Sequence, residues 1–160
     1  MSSTDTHIDI KGIKGESNHE KHKDQIEVIG WQWSASNDST FGIGKGGGKG
    51  KGTVQNLVFT HRYDNASPTL AKKCLAGEHI DTATLYVSKA SGGQEDFLII
   101  TLTGVMVTSV NPSGDSSGEI FETVSLAYEE FKAEYKVQDA KGKLSAGPQF
   151  TFNVASTKVS

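Results

Sequence analysis

The residues with the most obvious chemical potential in this 160-residue chain are a glycine-lysine run, five histidines, one cysteine and several carboxylate pairs. The run at 42–52 holds seven glycines and three lysines in eleven positions. A phosphate-cradling P-loop needs its Gly-Lys followed by serine or threonine, whose hydroxyl holds magnesium. Here Lys45, Lys49 and Lys51 are each followed by glycine, so that chemistry fails. Gly42-x-Gly44-x-x-Gly47 fits the dinucleotide pattern, but in so glycine-rich a run the match is nearly free. The run also joins two strand-like segments instead of opening a helix. The histidines are His7, His19, His22, His61 and His79. His19 and His22 lack the i, i+4 spacing of a helical zinc motif, and the lone Cys74 offers no thiolate cluster. They read as polar histidines in a loop. Cys74 falls toward the carbonyl end of a short helix, the wrong end of the dipole for an activated nucleophile. Glu95-Asp96 and Glu129-Glu130 flank turns as solvated charge, and no serine sits in a Gly-x-Ser-x-Gly elbow. No active site emerges, and no catalytic, metal or cofactor-binding residue is expected.

The elements that would position these groups show period-two alternation, punctuated by Gly, Asn, Asp and Ser. Ile8 and Ile10 open a short strand, residues 16–25 read as a surface loop, and 26–35 form a strand with a bulge at Ile29-Gly30. Trp31 and Trp33 share one face of that strand and fill the core or its edge, while Gln32 faces the other way. The 42–52 run has almost no side-chain surface to bury and reads as a flexible loop. Alternation resumes over 54–63 with Leu57, Phe59 and Tyr63 on one face. Ser67-Pro68 predicts a helix start, with serine as N-cap, and Gly77 a stop. Strands follow at 82–88 and 96–110, an antiparallel pair at 119–128 and 131–138, and a last strand marked by Phe150, Phe152 and Val154 before a polar tail at 155–160. The expectation is a mainly β, single-domain chain over 1–160: one antiparallel β-barrel with one short flanking helix.

The 96–110 strand carries a further implication. Phe97, Ile99, Val105 and Val107 alternate on one face, and Leu98, Ile100, Leu102 and Met106 on the other. A strand at the surface of a monomer keeps one polar face, so the helix or a neighbouring subunit must cover the second. Leu98, Ile100, Leu102 and Met106 are therefore the candidates for a subunit contact.

A net charge of −3 argues against a dedicated nucleic-acid binder. No apolar run approaches the roughly 18 residues of a membrane span. The first residues carry neither a basic nor an apolar leader region, so no cleavable signal peptide is expected. A single cysteine suits folding in a reducing cytoplasm.

Taken in order, these features resemble one family, Hcp (haemolysin-coregulated protein), the inner-tube protein of the bacterial type VI secretion system. The resemblance runs over nearly the whole chain. It rests on Gly12-Ile13-Lys14-Gly15-Glu16-Ser17, on Trp31-x-Trp33-Ser34, on the 42–52 run and on Val54-Gln55-x-Leu57-x-Phe59-Thr60. It continues through Asp64-x-x-Ser67-Pro68-x-Leu70, Cys74, Gly77-x-His79, Lys89-Ala90-x-Gly92-Gly93-Gln94, residues 97–101, Glu122-x-Val124-x-Leu126 and Tyr135. The resemblance implies a barrel that assembles into a homohexameric ring. Rings would stack into a tube expelled by a contractile sheath, with sheath, baseplate and spike proteins as partners and effectors in the lumen. It implies no cofactor, and residence in the bacterial cytoplasm before firing and secretion after it. Gly42, Lys45, Gly47, Lys49 and Lys51 fall in the element that would reach the next ring, and Gln32 and His61 are lumen candidates. Gln32 stands where the family often has a small residue, and the lysines make the loop more basic than the usual glycine-alanine version. A monomeric barrel that binds small ligands or glycans is the alternative.

Overall fold

The structure, a computed structural model, describes residues 5–39, 50–89 and 95–160. Among these the alternating segments form eleven strands: β1 (Thr6–Ile10), β2 (Ile26–Glu27), β3 (Gly30–Gln32), β4 (Ala35–Asn37), β5 (Gly52–Val54), β6 (Leu57–Arg62), β7 (His79–Ser88), β8 (Asp96–Gly114), β9 (Ile120–Gln138), β10 (Leu144–Asn153) and β11 (Lys158–Val159). One helix, α1 (Ser67–Ala76), separates β6 from β7. The chain is thus mainly β with one helix, as its sequence predicts.

All the strand pairs are antiparallel, and two 19-residue strands dominate them. β8 pairs with β9 from Leu98↔Tyr135 to Gly114↔Ile120. The other edge of β9 is shared: its first half pairs with β6 (Leu57↔Leu126 to Arg62↔Phe121) and its second half with β10 (Phe152↔Phe131). Beyond β8 the order continues through β7 and β1 to β2, and β3 pairs with β6. The stretch from Ile26 to Gln32 therefore changes partner midway. Val28 N donates to Thr6 O at 2.9 Å and the next amide, Ile29, to Thr60 O at 2.8 Å. This partner change replaces the single bulged strand expected over 26–35. β4 and β5 form a separate exposed ribbon. The expected axial-loop residues Gly42, Lys45, Gly47 and Lys49 lie outside the described residues; Lys51, just before β5, is exposed.

The apolar faces converge on one core that includes Ile8, Leu57, Phe59, Leu70, Leu85, Leu102, Leu126 and Phe131. Gly104 governs how β8 contributes to it. Its φ of +65° is open to glycine but strained for other residues. Asp81, Gly104 and Glu129 fall side by side between paired neighbours on β7, β8 and β9. The buried positions change parity there in all three strands: Ile80 then Ala83, Leu102 then Val105, Tyr128 then Phe131. One pleat reversal across three strands thus turns Ile100, Leu102, Val105 and Val107 to the same core. This revises the two-faced reading of 96–110: Ile100, Leu102, Val105 and Val107 share the core face through the reversal at Gly104, while Phe97, Ile99 and Met106 lie half-buried on the other.

Other expectations change in detail. The pair expected at 119–128 and 131–138 is a single strand, because Glu129-Glu130 supplies no turn and β8 pairs along its length. The 111–118 loop shrinks to a tight turn after Gly114. The tail at 155–160 folds back, with Phe152↔Val159 in register. α1 is capped at Ala66 with no side-chain cap bond; Ser67 lies inside the first turn, its hydroxyl accepting from Asp64 N at 3.1 Å. Gly77 closes the helix as expected.

Residues 16–25 are not a simple surface loop, since Ser17 and His22 are buried. Gly15 N donates to Asp24 O and Ser17 N to Gln25 O, so the segment folds back on itself. A Cβ on Gly15 would stand 2.5 Å from the Gln25 carbonyl oxygen and 2.7 Å from Ile26 Cα, both backbone atoms. Gly15→Ala is therefore expected to cost about 1–3 kcal/mol by overpacking. Urea unfolding at fixed protein concentration would measure this; a change under a few tenths would show that the segment yields.

Candidate functional site

The structure separates the sequence-predicted contact residues. Ile100 and Leu102 are 3% and 0% exposed and belong to the subunit's own core, so neither is available to a neighbour. Met106 leaves their face because the Gly104 reversal intervenes, and it is half-buried. Leu98 keeps an accessible side. It lines a shallow groove of about 190 Å³ with Ala133, Tyr135, Pro148, Gln149 and Phe150. Tyr135 and Val137 nearby are both 45% exposed, an unusual cluster of large apolar side chains at a surface.

The lumen candidates also divide. Gln32 is exposed on β3, beside a wide polar hollow lined by Gln55, Asn56 and Ser125 among others. His61 is fully buried, which corrects its placement in a lumen. Its Nε2 donates to Glu122 Oε1 at 2.8 Å, and Glu122 is itself 1% exposed. Its Nδ1 stands 3.7 Å from Asp64 Oδ2, beyond hydrogen-bond reach. Burial opposes a charge on this ring, but the Asp64 and Glu122 carboxylates more than offset it and hold the pKa above its ordinary value. The arrangement locks β6 to β9 and to the entry of α1; it presents no reactive group to solvent.

Trp31 and Trp33 pack against the core edge, as expected. Trp33 stacks on Phe131 with ring centroids 4.1 Å apart and planes 10° apart. Its indole N–H donates to Tyr128 Oη at 2.6 Å, and Tyr128 Oη donates to Gln55 O at 2.6 Å. This chain fixes the start of the exposed β4–β5 ribbon to the core, because Gln55 follows β5 directly.

A second group escaped sequence reasoning. The sequence pairs His19 with His22 but gives no sign of His7, yet the three ring centroids lie 4.9–5.3 Å from one another. The rings of His7 and His22 are stacked, so their nitrogens do not converge on a point. Among the described residues no group of three or more His, Cys, Asp or Glu side chains could hold a metal ion. No helix among them is long and apolar enough to cross a membrane.

These features describe a chain whose described surface offers an apolar groove and polar faces, with His7, His22 and His61 buried in its structure. The comparisons agree. The family described as "Type VI secretion system effector, Hcp" matches residues 7–135. Protein hcp1 of Pseudomonas aeruginosa is 39% identical over 149 residues, which cover 91% of each chain. The chain belongs to the Hcp family. Among solved structures, a type six secretion system protein superposes with a TM-score of 0.91 at 33% identity, covering 97% of this chain and 98% of that one. Hcp1 from Salmonella typhimurium superposes at 0.78 with 36% identity, covering 97% of both. The chain is thus a type VI secretion protein, as its sequence motifs imply, and no enzyme family is indicated. The monomeric ligand- or glycan-binding module finds no support in these likenesses.

Proposed function

We propose that this Hcp-family chain is a non-catalytic ring subunit: six copies close into a hexamer, and rings stack into the inner tube that a sheath expels. The observation that carries this reading is the end-to-end likeness to a type six secretion system protein, joined to an apolar groove that a monomer would leave wet. The sheet curls into a barrel through the Ile26–Gln32 stretch, bonded to β1 at one end and β6 at the other. Leu98, Tyr135 and Phe150 on β8, β9 and β10 form one side of the head-to-tail contact, and a ring results because the rotation closes. The 42–52 run supplies the axial contact between rings, and Gln32 faces cargo. Sheath, baseplate and spike proteins are the partners, and effectors travel in the lumen. The protein waits in the cytoplasm as a single 1–160 domain and leaves the cell on firing.

The native mass tests this. Light scattering over a dilution series is expected to give about 103 kDa for six subunits of 17.1 kDa, with Leu98→Glu shifting the population toward the monomer. A wild-type mass of one subunit at every concentration would overturn the ring.

A further inference from the structure

We propose that His7, His19 and His22 form an acid-opened latch that fastens the 16–25 segment over β1 and β7. His7 is on β1 and 1% exposed; His22 comes from the segment and is 3% exposed. Their rings stack with centroids 4.9 Å apart and planes 18° apart, and Tyr86 of β7 packs on His22 at 4.7 Å. His22 Nε2 donates to Asp96 Oδ1 of β8 at 2.8 Å, and its Nδ1 faces Gln25 Oε1 at 3.0 Å. Asp96 Oδ1 also accepts from Ser88 Oγ at 2.6 Å, which orients it.

Three imidazoles thus pack together, and His22 among them is bonded to a carboxylate that Ser88 orients. Of the other titratable groups around His7, Glu27 stands across from it on β2, Asp9 lies two residues along β1, and Tyr86 stands opposite it on β7. A proton on His7 would sit on a ring stacked against His22, and the His7 Nδ1 is buried without a hydrogen-bond partner. Charging that buried ring is unfavourable, and the relief is to lift the segment and hydrate the rings. Burial, with the charges of His22 and His19, accordingly holds His7 down to about 4. The sign follows. Between pH 6.5 and 4 the opened segment binds a proton that the closed one refuses, so closure weakens as pH falls through this window. Opening would uncover Ser17, Tyr86 and the outer side of β1 while β6, β8 and β9 stay paired.

Hydrogen exchange on the full chain, corrected for intrinsic rates, tests the latch. Protection of the segment amides, such as Gly15, Ser17, His22 and Gln25, is expected to fall at least tenfold from pH 6.5 to 4. The ceiling over this window is about 80-fold, the change that a His7 shift from 6.5 to about 4 permits between those two pH values. Amides of β6 and β9 should change far less, and His7→Phe should abolish the segment's response while keeping its ring packing. Uniform loss over all strands, no loss in the segment, or an equal loss in His7→Phe would each overturn the proposal. If His7→Phe fails to fold, ring NMR of the wild-type histidines decides: His7 must titrate together with segment opening. A His7 ring that becomes protonated while the segment stays protected would refute the latch.

Discussion

Phe131→Ala is expected to lower the stability of the subunit by about 3–5 kcal/mol, the range for emptying a buried phenylalanine site. For a chain of this length that is a fall in Tm of about 10 °C or more. The residue is 0% exposed and sits where β9 passes from β6 to β10, in register with Leu102 on one side and Phe152 on the other. Trp33, Tyr128 and Phe150 surround its ring at centroid distances of 4.1, 5.6 and 5.8 Å. The cost of a cavity depends on how far its walls collapse, and these walls are stiff. Trp33 is held by its bond to Tyr128, and Tyr128 by its bond to Gln55. The loss should therefore reach the upper part of the range. Urea unfolding at fixed low concentration, followed by tryptophan emission, measures it, and a loss under 1 kcal/mol would show that the aromatic cluster repacks. Ala133 and Phe150, which line the groove assigned to the ring contact, also flank this site. If the proposed ring closes through that groove, the same variant should also weaken it, which would link core packing to assembly.

What was legible in the sequence divides along physical lines. Alternation located most strands, because one-sided burial writes itself into period two, and Ser67-Pro68 with Gly77 located α1. It also contained His61 and Glu122: His61 shares parity with Leu57 and Phe59, and Glu122 with Val124 and Leu126. Their polarity drew attention away from a face assignment that the spacing already made. The reversal at Gly104 was less accessible. A single glycine in an apolar run reads as a bulge in one strand, whereas here it acts with Asp81 and Glu129 on two other strands. Without that register, Ile100 and Leu102 look like an interface; with it they are core. The histidine group was illegible for the same reason. His7 lies twelve residues before His19, and only the folding of 16–25 onto β1 brings their rings together. Family motifs carried the function further than local chemistry could, because no reactive side chain marks the membership of the Hcp family that the motifs spell out.

Glu122→Ala should cost about 3–5 kcal/mol near pH 6, because it strands a buried histidine whose other nitrogen already lacks a hydrogen-bond partner. Glu122→Gln keeps the shape and an acceptor for Nε2, and its cost should fall to about 1–2 kcal/mol, the charged part of the bond. The pH dependence makes the test specific. His61 has a raised pKa in the folded chain. Its stabilisation is fully present below the unfolded value near 6.5 and is lost as pH rises through the raised one. His7 works in the opposite direction, since its lowered pKa makes stability fall as pH drops from 6.5 to about 4. Together they set a stability maximum near pH 6–7, with a different histidine responsible for each flank. Glu122→Ala should reduce the alkaline flank, part of which Asp64 still sustains, and leave the acid flank in place, whereas His7→Phe should remove the acid flank alone. Denaturant unfolding from pH 4 to 9 on the three proteins measures both flanks. If either variant moves both together, the two buried histidines are not independent, and a coupling through β1, β2 and β6 must join them.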